Sequence, residues 1–310
     1  MTKTRDHGGG LDAAMARWGG QRKDWVDLST GINPHPYPIG QIPSHSWTAL
    51  PDEAAFKSLE TAARRFWNIP PQADILAAPG ASALIAQMPS ALSGQSVYIP
   101  PPTYNEHKAA FDEAGWNASD DADALVVVHP NNPDGHLWEA SSLSARQSII
   151  DESFCDVAPD QSLIDLSRRE GVIVLKSFGK FWGLAGLRLG FAIGDPNIIG
   201  KLRTKLGPWQ ISGPALEIGA TALEDVDWAS QTRTDLSQSA NRLDTLMQNE
   251  GAIPCGGTSL FRLYETEDAA AWQNKLAEHH IWSRIFPYSK TWLRLGLPPS
   301  DRWAQLENAL

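Results

Sequence analysis

Between residues 74 and 194 short apolar runs alternate with helix-length amphipathic stretches, and this alternation predicts an α/β layered unit. The strand candidates are 75–78, 96–99, 125–129, 148–150, 172–176 and 189–193, with helices between them at 82–92 and 105–114. The runs lack polar residues at alternate positions, so both faces must be covered, as in a mostly parallel sheet between helices. Ahead of them, Phe56, Leu59, Ala63 and Phe66 recur at three- and four-residue spacing and predict a helix over 53–67. The first 45 residues hold a short amphipathic helix at 11–17 and the turn-forming run Asn33-Pro34-His35-Pro36-Tyr37-Pro38, which reads as an ordered arm. After residue 197 the texture changes. Helices at 196–206, 216–224, 228–249, 269–279 and 302–310 mix with strands at 259–264, 282–286 and 292–297, the pattern of a smaller α+β lobe. The division expected is an arm over 1–45 packing with the small domain, a large domain over 46–210 and a C-terminal domain over 211–310.

A chain of 310 residues, 42% of them hydrophobic, is long enough for two lobes around a sizeable core. The net charge of −10 and the absence of a Lys/Arg block argue against nucleic acid and against a membrane surface. No apolar run approaches membrane-spanning length, and the opening MTKTRDHGGG lacks the apolar core of a signal peptide. A soluble cytoplasmic protein is expected. Cys155 and Cys255 stand apart without metal-ligand spacing, so two buried free thiols in a reducing compartment are expected and no metal site. The 13 tryptophans are scattered, as core and interface residues would be.

Four motifs fall where the strands end, the place where open α/β sheets put their ligands. Ala78-Pro79-Gly80-Ala81-Ser82 is a glycine-led turn into a helix, with free amides and a positive dipole end suited to a phosphate, although ordinary strand-to-helix turns look the same. His129-Pro130-Asn131-Asn132-Pro133-Asp134-Gly135 follows the most apolar strand; it forms a turn and can also point an amide at a ligand. In Ile149-Ile150-Asp151-Glu152-Ser153-Phe154 an acid ends an apolar strand, which is costly unless it meets a cation, either a metal or a protonated ring nitrogen. Finally, Lys176-Ser177-Phe178-Gly179-Lys180-Phe181-Trp182-Gly183-Leu184-Ala185-Gly186-Leu187-Arg188-Leu189-Gly190 sets Lys180 among aromatic and small residues. A lysine desolvated in this way becomes nucleophilic, as carbonyl chemistry requires.

In order, spacing and wording these motifs resemble the fold-type I pyridoxal-phosphate (PLP) enzymes of the aminotransferase class I/II superfamily. The resemblance runs from the arm to the last helix, and its most specific part is the lysine motif. It implies an α/β fold with a large, mostly parallel sheet domain and a smaller α+β C-terminal domain. It also implies that PLP is carried as a Schiff base on Lys180, with Lys180 and Asp151 as catalytic residues. Asp151 would keep the ring nitrogen protonated, Asn132 would bond the ring's 3-oxygen, and Tyr104 would stack on the ring. Gly80, Ala81, Ser82, Ser177 and Arg188 would cradle the phosphate. Three positions depart from the family pattern. Phe154 replaces a frequent tyrosine, Gly179 replaces a serine or threonine, and Leu50 stands where relatives often supply a tyrosine across a dimer interface.

The cofactor motifs do not choose the reaction; the substrate-binding residues do. Arg294, in Thr291-Trp292-Leu293-Arg294, matches the family's carboxylate-binding arginine, and Arg284 on the preceding strand is a second candidate anion binder. The arm, with His7-Gly8-Gly9-Gly10 and Asp27-Leu28-Ser29-Thr30-Gly31-Ile32-Asn33-Pro34, resembles the start of the threonine-phosphate decarboxylases of cobalamin biosynthesis. That likeness implies that His7, Gly8 and Asn33 gather round a substrate phosphate, that the substrate is a small phosphorylated amino acid, and that the enzyme is a carboxy-lyase. The related histidinol-phosphate aminotransferases are the alternative reaction, and a non-catalytic PLP-fold module is the alternative of another class. A homodimer is the family expectation.

Overall fold

The computed structural model describes residues 6–310. In chain order, α1 (Leu11–Trp18) and β1 (Val26–Asp27) precede α2 (Ser44–Thr48), α3 (Glu53–Phe66), β2 (Asp74–Ala78), α4 (Ala81–Ala91) and β3 (Ser96–Tyr98). There follow α5 (Asn105–Glu113), β4 (Asn117–Ala118), β5 (Ala124–Val128), β6 (Gln147–Asp151), β7 (Val172–Ser177), β8 (Gly190–Gly194), α6 (Pro196–Leu206) and α7 (Gly213–Glu224). The remainder is α8 (Val226–Asn249), β9 (Ile253–Thr258), β10 (Phe261–Glu265), α9 (Ala269–Glu278), β11 (Ile281–Trp282), β12 (Arg284–Phe286), β13 (Ser289–Gly296) and α10 (Trp303–Glu307).

Two compact units emerge. The larger takes in residues 36–132 and 136–231, the smaller residues 6–35, 133–135 and 232–310. In the larger unit the strands lie in the order β2-β8-β7-β6-β5-β3-β4. Only β8 runs against its neighbours among the described strands of this sheet, so the sheet is mostly parallel. β6 is buried along its whole length, as an unalternating run requires. Leu84, Ile85 and Met88 of α4 and Ile199 and Leu202 of α6 cover Val126, Ile149, Ile173 and Leu175 of the sheet. Each such aliphatic side chain contributes about 2 kcal/mol by leaving water.

The unit boundary differs from the division expected at residue 210. Residues 211–231 belong with the sheet, because α7 packs on α3. Gly219 makes the approach possible: a Cβ there would stand 2.5 Å from Leu189 and 2.8 Å from Leu59. Part of the expected arm, residues 36–45, also falls in the larger unit, where Tyr37 donates its amide to the Trp182 carbonyl at 2.9 Å.

The smaller unit holds an antiparallel sheet in the order β12-β13-β10-β9 and a parallel pair, β1-β11. The expected strand over 282–286 is two, broken at Ser283: Ile281 and Trp282 pair with the arm, while Arg284 to Phe286 pair with β13. β9 has no counterpart among the expected strands, since Pro254 and Gly256-Gly257 read as turn residues. The glycines are there for closeness, a Cβ on Gly256 lying 2.3 Å from the Asp134 carbonyl oxygen. Cys155 is buried, but Cys255 on edge strand β9 is exposed, which corrects the expectation of two buried thiols.

Candidate functional site

A cavity of about 130 Å³ opens in the larger unit where β2, β5, β6 and β7 end, and Ser82, Tyr104, Asn132, Asp151, Lys180 and Arg188 all line it. At one end stands the N-terminus of α4, whose first amides have no acceptor within the helix. Two glycines let the chain close here. A Cβ on Gly80, which has φ 85°, would lie 2.4 Å from an Arg188 guanidinium nitrogen, and one on Gly190 would lie 2.4 Å from the Ala81 amide. Arg188 has the left-handed backbone, φ 54°, at a cost of about 1 kcal/mol for a residue with a Cβ. That conformation turns its side chain back to the α4 terminus. Ser82 and Ser177 line the same cavity. Donors and a cation thus meet at one end, the arrangement a dianion needs.

Asp151 lines the cavity from its buried position, 2% exposed. Oδ2 meets His107 Nε2 at 2.8 Å, while Oδ1 accepts from the Ser153 hydroxyl at 2.5 Å and its amide at 3.0 Å. Burial works against the charge, yet the His107 and Ser153 bonds outweigh it and hold the carboxyl below its ordinary pKa. The carboxylate has no Lys or Arg partner among the described residues, so its charge is available to a cationic ligand nitrogen. Tyr104 shares the cavity, and burial, helped by the Asp151 charge, raises its phenol to about 12, which keeps it protonated. His107 escaped the sequence reading. Its signal was its place three residues after Tyr104, the spacing that puts two side chains on one helix face.

The two asparagines divide their work. Asn131 ties its strand end to the neighbouring loop, accepting from Thr103 Oγ1 at 2.6 Å and donating to the Pro102 carbonyl at 3.0 Å. Asn132 faces the cavity. Lys180 extends over the Phe154 ring, its Nζ 5.1 Å from the ring centre. Gly179 also lines the cavity.

Behind the lysine loop lies a buried polar cluster. Lys176 Nζ pairs with Glu152 at 2.6 Å and Asp156 at 3.5 Å. Asp156 also accepts from the indoles of Trp67 at 2.9 Å and Trp182 at 3.2 Å. His129, Glu152 and Cys155 come close enough to suggest a metal site. Their donors are spent, however: His129 bonds the Gln161 carbonyl through Nε2 and the Trp138 amide through Nδ1, and Glu152 holds Lys176, Ser162 and Leu163. Burial depresses the His129 pKa and raises that of Cys155. These groups form structure rather than a metal centre.

The expected substrate residues lie in the smaller unit. Arg284 and Arg294 are cross-strand partners on β12 and β13. Arg294, 5% exposed, donates to the Ser29 carbonyl at 2.7 Å, and burial, aided by Arg284, brings its pKa down to about 10. Arg284 donates to the His7 carbonyl and pairs with Asp6. Gly8 lies against Ser29, where a Cβ would be 2.5 Å from the carbonyl oxygen. His7, Gly8 and both arginines therefore gather around Ser29. Asn33 is buried and accepts from the His35 amide at 2.9 Å, closing a local turn.

Residues 116–310 match the family model described as aminotransferase class I and II. A threonine-phosphate decarboxylase from Sinorhizobium sp. is 39% identical over 94% of this chain and 93% of its own length. A threonine-phosphate decarboxylase from Pseudomonas aeruginosa is 37% identical over 98% of this chain and 97% of its own. Among solved structures, histidinol-phosphate aminotransferase from Sinorhizobium meliloti in complex with pyridoxal-5'-phosphate superposes with a TM-score of 0.84 at 19% identity, covering 97% of this chain and 93% of that one.

Proposed function

Because the chain belongs to the aminotransferase class I and II family, we propose that it is a PLP-dependent carboxy-lyase acting on L-threonine O-3-phosphate in cobalamin biosynthesis. The products are (R)-1-amino-2-propanol O-2-phosphate and CO2, with one proton taken up at Cα. The observation that carries the reading is the pairing of Arg284 with Arg294 on adjacent strands beside the His7-Gly8 run. Two cations on one face suit a substrate with two anionic groups, a carboxylate and a phosphate. The nearly full-length likeness to two threonine-phosphate decarboxylases supports it.

The larger-unit cavity fits PLP by the chemistry of its donors. Bound there, PLP supplies a conjugated, protonated ring that accepts the electron pair left at Cα as CO2 departs. Lys180 would anchor the cofactor, and its amine would carry the proton to Cα. Asp151, kept anionic by His107 and Ser153, holds the proton on the ring nitrogen. Asn132 would orient the ring's 3-oxygen, with Phe154 lining the same cavity. Tyr104, which lines the same cavity, would stack on the ring. Gly80, Ala81, Ser82, Ser177 and Arg188 grip the cofactor phosphate. Arg284 and Arg294, with His7, Gly8 and the Asn33 turn, would hold the substrate's anionic groups.

Incubation of the holoenzyme with O-phospho-L-threonine should release CO2 stoichiometrically with the aminopropanol phosphate. Absence of CO2 together with conversion of the cofactor to pyridoxamine phosphate would instead establish an aminotransferase, and a purified protein that takes up no PLP would establish a non-catalytic module. Arg188→Ala, which removes one charged partner of the phosphate, should weaken PLP binding about 30-fold, corresponding to roughly 2 kcal/mol. Equilibrium dialysis against PLP measures it, and an unchanged affinity would remove Arg188 from the phosphate site.

A homodimer in the cytoplasm completes the proposal. Trp47, Leu50 and Trp209 are 69%, 67% and 55% exposed, and Trp209 borders an apolar groove with Pro51, Phe56 and Leu59. A second copy covering this groove accounts for apolar side chains that would otherwise face water. No described helix is long and apolar enough to cross a membrane.

A further inference from the structure

We propose that the Asp6 carboxylate is an internal competitor for the anion site of Arg284, a latch which the substrate's anionic group displaces. The inference rests on the assignment of Arg284 and Arg294 to substrate anions made above. Asp6 meets Arg284 fork to fork, Nη1 donating to Oδ1 at 2.6 Å and Nη2 to Oδ2 at 2.7 Å. Nη1 donates in addition to the His7 carbonyl at 2.6 Å. This donor face is the one a phosphate or a substrate carboxylate would use.

The strand register explains why an anion belongs there. Arg284 and Arg294 are direct partners across β12 and β13, so their side chains leave the sheet on the same face. Like charges placed opposite each other repel, and the burial of Arg294 takes away the water that would screen them. An anion relieves the repulsion, and in this structure Asp6 supplies it.

The attachment of the segment lets that carboxylate leave without unravelling the arm. Gly9 donates its amide to Ser29 Oγ at 2.6 Å, and its carbonyl accepts from Trp282 Nε1 at 2.9 Å. Gly8 is seated against the Ser29 carbonyl. None of these contacts uses Asp6, so its release is a short swing about an anchored Gly8-Gly9. The Asp6 side chain is 45% exposed, which makes the pair weak enough to exchange. A phosphate dianion carries twice the charge of the carboxylate it replaces and attracts the paired arginines more strongly.

The test is calorimetric titration of the holoenzyme with inorganic phosphate, the cofactor's own phosphate site being filled by PLP. Asp6→Asn should tighten phosphate binding about 3- to 10-fold, and Asp6→Ser should do the same. Arg284→Gln should weaken it about 10-fold or more, and adding Asp6→Asn to Arg284→Gln should give no gain. If Arg284→Gln leaves phosphate binding unchanged, the assignment of Arg284 fails and takes the latch with it. If Arg284→Gln weakens binding but Asp6→Asn leaves it unchanged or weaker, the assignment stands and the latch is wrong.

Discussion

Lys180→Ala is expected to lower the decarboxylation kcat by roughly four orders of magnitude while the protein folds normally. The side chain extends over Phe154 in an open cavity, so truncating it leaves no buried void. The loop around it is held by other groups. Trp182, two residues on, is fully buried, stacked on Phe178 with centroids 5.1 Å apart and on Trp228 at 5.3 Å, and bonded to Asp156. The variant should therefore keep its thermal midpoint and bind PLP reversibly. Borohydride treatment followed by intact-mass measurement separates the outcomes: the parent gains one cofactor mass, the variant none. A variant that is still labelled, or that still turns over at the parent rate, would show that another lysine carries the cofactor. Added methylamine should restore part of the rate, because what is missing is an amine and not an architecture.

The second large effect concerns stability. Lys176→Met should cost about 3–5 kcal/mol, read as a lowered urea midpoint by tryptophan fluorescence. Lys176 and Glu152 are buried to 2% and 0% exposure, and removing the cation leaves the Glu152 and Asp156 charges in a medium that solvates them poorly. Burial alone would depress the lysine's pKa, but Glu152 and then Asp156 outweigh it and hold it above the ordinary value. A pKa raised on folding contributes stability that is complete below the unfolded lysine's value and is lost as pH rises through the folded one. The pair should thus be silent through neutral pH and fail in strong alkali. Adding Glu152→Gln to Lys176→Met should recover part of the loss. A Lys176→Met midpoint equal to that of the parent would mean that the cluster is solvated by water.

The sheet was legible because its strands are buried on both faces. A run such as Leu125-Val126-Val127-Val128 has no polar alternation to mistake for anything else, and its boundary lies within a residue of β5. β9 and β1 were not legible, since Pro254, Gly256 and Gly257 carry the local signal of a turn and a two-residue strand carries none. In the cavity, Asp151, Lys180 and Arg188 could be read from contiguous motifs. His107 could not, because its role arises from a helix that brings it to a strand 44 residues away. The partner of Arg284 was hidden for the same reason: nothing in the order of residues says that Asp6 and a strand residue 278 positions later share a hydrogen bond.

Gly190 carries no functional group, yet its bare α-carbon on β8 is what allows the first turn of α4 to sit against the strand. Any side chain there would push the helix start outward and away from the Arg188 guanidinium without altering one charge. A saturation scan scored by growth or turnover would therefore rank this glycine beside the lysine. Maps of function drawn from tolerance to substitution would count it as chemistry, when its contribution is an absence of volume.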